Sequence, residues 1–188
     1  MKALVLCALV LPAAVAHADE WGLGLRATGE RVDPHDDATA QGIGMGGGGL
    51  LIRWRISGLF GLELALDGFD GKLADGAFER KTSSLGLTAQ FHLTPGSRWD
   101  FYLLAGLAAV DDKVSFRDAN GDQMDQEFKE TEARLGAGLE YRWAHIGLGA
   151  EVAAVALARN DGDDALIGDA VPKESGGGQL SVVFTYYF

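Results

Sequence analysis

From residue 21 onward the apolar and polar positions of this chain alternate with a period of two. In 21–28, Trp21, Leu23, Leu25 and Ala27 stand against Gly22, Gly24, Arg26 and Thr28, the pattern of a two-faced strand. The same alternation returns in 60–67, 85–93, 133–143, 146–158 and 180–188. Two further segments are less regular: 41–54, interrupted by the run Gly46, Gly47, Gly48 and Gly49, and 99–110, which is apolar on both faces. No stretch shows the 3.6-residue period of a packed helix. The pattern predicts an all-β chain of eight strands.

The connections alternate in length. Short turns are expected near 55–58, 94–97 and Ala144, and long polar connections through 31–40, 68–80, 111–130 and 159–177. Short turns at one end and long loops at the other describe an antiparallel up-and-down meander closing into a barrel. Of the 27 acidic residues, 20 fall in 31–40, 67–80, 110–132 and 159–174, so the long-loop end is expected to be acidic. In 41–54 the parity changes. Ile43 and Met45 suggest an outward odd set, Leu50, Ile52 and Trp54 an outward even one. A β-bulge at the four glycines would reconcile them.

Composition narrows the function classes. The chain has 188 residues, one Cys and a formal net charge of −11, which argues against a nucleic-acid partner. Met1 and Lys2, the apolar 3–15, and Ala16-His17-Ala18 read as a secretory signal peptide over 1–18, leaving a barrel domain over 19–188. Cys7 leaves with the signal, so the mature chain has no thiol chemistry. The apolar run there is too short to cross a bilayer as a helix.

Alternation alone does not say whether the apolar face meets a soluble core or a lipid. Every Lys of the mature chain (Lys72, Lys81, Lys113, Lys129, Lys173) lies in or beside a long connection, whereas a soluble barrel spreads Lys over its strands. Trp21, Trp54, Trp99 and Trp143 all fall at short-turn ends, while Phe69, Phe78, Phe116 and Phe128 lie toward the long-loop ends. Aromatics at both rims with aliphatics between them fit two water–lipid interfaces. A secreted lipocalin-type barrel is the alternative.

With its signal peptide, eight alternating segments and a last strand ending in Phe188, the sequence resembles the small outer-membrane β-barrels of the OmpA/OmpX type. The resemblance implies residence in the outer membrane of a Gram-negative bacterium with both termini periplasmic. It also implies that Phe184, Tyr186 and Phe188 form the signal read by the barrel-assembly machinery. Outer-membrane lipids are the other expected partner, the chain is expected to be monomeric, and no cofactor is required.

Turning the apolar face outward directs Arg26, Glu63, Gln90, His92, Arg134, Glu140, Arg142 and Glu151 inward. An eight-stranded barrel is only wide enough for its side chains to fill. Arg26, Glu63, Glu140 and Glu151 are therefore expected to form an interior cluster, with Arg134 and Arg142 as further cations. Leu104, Val155, Leu157 and Val183 add an apolar lining. Trp21, Trp54, Trp99, Trp143 and Phe188 are expected to form a girdle at one height.

Candidate chemistry is sparse. His92 and His145 lie at the short-turn end and His35 in an acidic loop, none with a neighbouring Ser to activate. The segment Asp118 to Asp125 begins like a calcium loop, but Gln123 and Lys129 stand where the turn Gly and the bidentate Glu belong. Asp161, Asp163 and Asp164 are a similar case. The leading expectation is a non-enzymatic outer-membrane barrel acting structurally or through acidic loops. A narrow conduit or pocket for small solutes, hydrophobic ones included, comes second, and a lipid-modifying enzyme third.

Overall fold

The computed structural model describes residues 20–34, 43–73, 78–117, 123–159 and 174–188. The expected signal peptide, His35, and the acidic positions 118–122 and 161–164 lie outside these residues. The strands are β1 (Glu20–Pro34), β2 (Ile43–Arg55), β3 (Phe60–Leu73), β4 (Phe78–His92), β5 (Trp99–Arg117), β6 (Gln123–Trp143), β7 (Ile146–Arg159) and β8 (Glu174–Tyr187). Each pairs antiparallel with its sequence neighbours, and β8 pairs with β1 to close the barrel. Closure pairs the backbone along every strand, which is what a wall in hydrocarbon requires. No helix among the described residues is long and apolar enough to cross a membrane.

Outward positions carry Leu, Val, Ile and aromatics, exposed in isolation. Inward positions carry most of the buried charge, Arg26, Arg53, Glu63, Glu140 and Glu151 among it. The apolar face is on the outside, the reverse of a soluble barrel.

The register fixes the barrel's dimensions. Followed across the ladders from Trp21, the partners are Trp54, Leu62, Ala89, Ala105, Leu135, Ala154, Gly178 and finally Arg31, on the starting strand but 31 − 21 = 10 residues farther along. A shear of ten over eight strands gives a strand tilt of about 41° and a radius of about 8 Å with ordinary strand spacings. Each residue then climbs about 2.5 Å along the axis. Trp21, Trp54, Trp99, Trp143 and Phe188 fall within about 8 Å of one another on this scale, at the short-turn rim, called lower here. Arg31, an outward charge, stands roughly 25 Å above Trp21, the height of an outer-membrane apolar band.

Two expectations need correction. The β2 ladders run unbroken from Trp54 to Met45 on both sides, so there is no bulge at Gly46 to Gly49. Met45 instead points inward, in line with Leu51 and Arg53, and Ile43 packs against the same interior cluster. The inner glycines answer to crowding: a Cβ on Gly49 would lie 2.0 Å from the Leu66 carbonyl oxygen and 2.3 Å from Asp67 Oδ1. Second, Phe69 and Phe128 are buried inside the barrel rather than placed on its upper rim. The side chains of Phe78 and Phe116 lie outside the described set.

The long connections are also shorter than expected. β5 has 19 residues and β6 has 21, because alternation continues in polar residues beyond the apolar core of each strand. Asp67, Asp112, Glu130 and Glu132, assigned above to the acidic loop end, consequently point into the barrel.

Candidate functional site: a filled lumen

Arg53 is the hub of the lower interior. It reaches β2's inner face because Leu50, Ile52 and Trp54 take the outer one. Its Nε donates to Glu63 Oε2 at 2.6 Å and Nη1 to Glu140 Oε2 at 2.8 Å, while Nη2 pairs with Glu151. The Tyr102 hydroxyl donates to Glu151 Oε1 at 2.7 Å. Tyr102 fits because its direct partner on β6 is Gly138, where a Cβ would lie 2.3 Å from the ring. Arg26 pairs with Glu63, donates to Asp67 at 3.3 Å, and lies 3.9 Å from Glu151. Arg142 joins from below, at 2.6 Å from Glu140 and 2.7 Å from Glu20, with its guanidinium 3.9 Å over the Tyr187 ring.

Arg26, Glu63, Glu140, Glu151 and Arg142 thus belong to one network, joined by Arg53. Sequence reasoning missed Arg53 although the even outward set of β2 directs odd positions inward. Arg134 stands apart, higher up, held by Glu132 at 2.8 Å. Between Arg26 and Arg134 lies a void of about 10 Å³, also lined by Glu63, Glu151, Gln179 and Ser181. That is room for roughly one water.

Above Arg134 an apolar cluster shares the interior with the buried carboxylates of Glu132 and Glu30, the latter accepting from the Gln179 amide at 3.1 Å. Val32, Met45, Phe69, Ala108, Val110 and Leu157 form a packed layer. A second charged layer closes it from above: Arg80 lies 2.7 Å from Asp112 and 3.0 Å from Glu130, and Arg159 sits 4.1 Å over the Phe128 ring. Leu104, Val155, Leu157 and Val183 all face inward, though Leu104 and Val183 lie lower than the other two.

At the lower mouth His92 Nδ1 is 2.9 Å from Asp100 Oδ2, and Arg55 pairs with the same carboxylate. This group is an ion-paired rim in which the imidazole's side-chain partners are Asp100 and Arg55. His145 lies in the tight β6–β7 turn, its ring 6.0 Å from that of Tyr186. Ala144 in that turn takes a left-handed φ of 52°. On the outer wall, Trp21 stacks on Trp54 at 5.1 Å and Trp99 meets Tyr141 at 4.7 Å. Trp143, Phe184, Tyr186 and Phe188 project outward at the same rim.

At the upper rim, above the apolar band, charges return to the outer face. Ser115 and Lys113 hydrogen-bond Asp125 and hold its carboxyl below the usual range, and Glu79 likewise raises Lys81 by accepting its hydrogen bond. These groups are charged at neutral pH. No group of three or more His, Cys, Asp or Glu suited to a metal ion occurs among the described residues.

The fold is shared with solved outer-membrane barrels. Neisserial surface protein A aligns with a TM-score of 0.60 at 17% identity, over 89% of this chain and 97% of its own. Ail, the attachment invasion locus protein of Yersinia pestis, gives 0.58 at 15%, over 92% and 100%. The N-terminal β-barrel domain of Pseudomonas aeruginosa OprF gives 0.54 at 19%, over 88% and 97%. No curated protein matches the sequence. The match of residues 3–188 to the outer membrane protein beta-barrel domain model places the chain in that family, the outer-membrane β-barrels of Gram-negative bacteria.

Proposed function

We propose that this protein is a non-conducting, non-enzymatic outer-membrane barrel whose work is done on its outer surface and upper loops. The supporting observation is the lumen. It is filled by an Arg53-centred ion-pair layer, an apolar cluster and an Arg80-centred layer, and the void between Arg26 and Arg134 holds about 10 Å³. An ion would have to displace the paired charges of the lower layer and then pass the packed side chains and the Arg80 ion pairs above them, each a separate barrier. The unbroken β2 ladders also leave no lateral opening at the glycine run, which weighs against the hydrophobic-solute conduit.

In this reading residues 1–18 are removed on export, the lower rim with both termini faces the periplasm, and the loops face outward. Phe184, Tyr186 and Phe188 serve recognition by the assembly machinery, and the folded chain is a monomer in contact with lipid. Planar-bilayer recording of the purified protein tests the central claim. Steady unitary conductance would overturn it, and a silent, fully inserted protein supports it. Protease added outside intact cells should cut the long connections and spare the short turns.

A further inference from the structure

Every buried carboxyl among the described residues but one has an Arg nitrogen 3.3 Å away or closer. The exception is Glu30 on β1. It is 6% exposed, and among the described residues its side-chain partner is neutral: the Gln179 amide donates to Oε2 at 3.1 Å from the directly paired position on β8. Its direct partner on β2 is Met45, and the next inward residue above it on β1 is Val32, both members of the apolar cluster. A bare carboxylate in such surroundings is costly, and the ordinary escape is to keep the proton.

The charged groups that act on Glu30 across the lumen are already engaged. Arg134 on β6 is held by Glu132 at 2.8 Å, and Arg80 on β4 by Asp112 of β5 and Glu130 of β6 at 2.7 and 3.0 Å. Asp67 on β3 pairs with Arg26, lower on β1. Arg159 on β7 stands higher, over the Phe128 ring. Drawing any of these guanidinium groups to Glu30 would uncover another buried carboxylate or strip the ring, so a proton is the cheaper counter-charge.

We infer that Glu30 is a proton-binding site: the folded barrel holds its carboxyl un-ionised at neutral pH, and loss of that proton in alkaline medium loosens the upper plug. An un-ionised carboxyl keeps a carbonyl oxygen for the Gln179 amide and tolerates Val32 and Met45 as neighbours. Once the proton leaves, a charge without an Arg stands beside the apolar cluster and draws water into it. The Arg53 layer below takes no part, since each of its carboxylates has an Arg. The inference rests on the filled lumen and not on what the outer loops meet.

The test uses the full mature chain folded into lipid vesicles and compares it with Glu30→Gln, which is uncharged at every pH and still offers Gln179 an acceptor. A folded chain that holds a proton the unfolded chain has released is weakened as pH rises. The ratio of folding equilibrium constants, variant over wild type, should therefore climb by up to about tenfold per pH unit above the ordinary Glu range near about 4.3, and level off where the folded chain gives up the proton. Groups common to both chains cancel in the ratio. A ratio that stays flat from about pH 5.5 to about pH 9 overturns the site. Infrared spectra give a reading that needs no variant. Wild type at neutral pH should show the carbonyl stretch of an un-ionised carboxyl, shifted by isotope labelling of Glu and lost at high pH; its absence overturns the site even if Glu30→Gln fails to fold. Loosening is read with Met45→Cys, at the direct partner of Glu30, since residues 19–188 contain no other thiol. At about pH 9 a water-soluble maleimide should label this Cys several-fold faster than the same Cys combined with Glu30→Gln, and at about pH 6 the two should react alike. Equal rates at the higher pH overturn the loosening.

Discussion

Replacing Arg53 by Met removes the hub of the lower plug while keeping much of its volume. Three carboxylates lose a partner, but not equally. Glu63 keeps Arg26 and the Gln90 amide at 3.3 Å, and Glu140 keeps Arg142 and the Tyr187 hydroxyl. Glu151 keeps only the Tyr102 hydroxyl and Arg26 at 3.9 Å. Uncovering one buried charge costs roughly 3–5 kcal/mol, and the surviving partners put the expected loss at the lower end, about 3 kcal/mol. With an m-value of about 2 kcal/mol/M, the urea midpoint in lipid vesicles falls by roughly 1.5 M. Fluorescence of the four Trp at the lower rim follows the transition without a probe. Adding Glu151→Gln neutralises the buried carboxylate left with the weakest pairing, so the double variant should recover a large part of the loss. A single-variant loss under about 1 kcal/mol, or strictly additive losses in the double, would show that water already screens these charges and refute a dry, paired plug.

Glycine 49 and glycine 46 should respond oppositely to Ala. Gly49→Ala drives a Cβ into the Leu66 carbonyl oxygen and should cost about 1–3 kcal/mol, whereas nothing lies within 4 Å of a Cβ on Gly46, so Gly46→Ala should be neutral or slightly stabilising in the same urea titration. Phe69→Ala opens the apolar layer and should cost about 3–5 kcal/mol, without producing steady conductance, since the Arg53 layer below it remains. Deleting Phe188 should slow assembly in cells, read as unfolded chain by heat-modifiability, while folding into vesicles in vitro proceeds at close to the normal rate.

The lower half of the barrel was legible because there polarity and direction coincide. At Arg26, Glu63 and Glu151 a charged residue between two aliphatics, and at Glu140 one between Leu139 and Tyr141, has one place to go, and the terminal Trp mark the rim. The upper half was misread for a physical reason. A lipid-facing wall requires only that its groups be uncharged, and Gly46, Gly48, Gly68 and Gly178 meet that requirement as well as Leu does. A filled interior requires volume, which Met45, Phe69, Val155 and Leu157 supply. In this region size, not polarity, tells inside from outside: large apolar residues alternate with small ones, and the large ones face in. The parity change at the glycine run was therefore a change in what each face demands, and no extra residue was needed to produce it. The same reasoning explains Phe128, whose outward neighbours Glu127 and Lys129 are charged and leave the interior as its only apolar surroundings. A strand whose apolar residues shrink on one face and swell on the other is thus the sequence mark of a plugged upper barrel, and β7 carries it, with Val155 and Leu157 inward and Ala154, Ala156 and Ala158 outward.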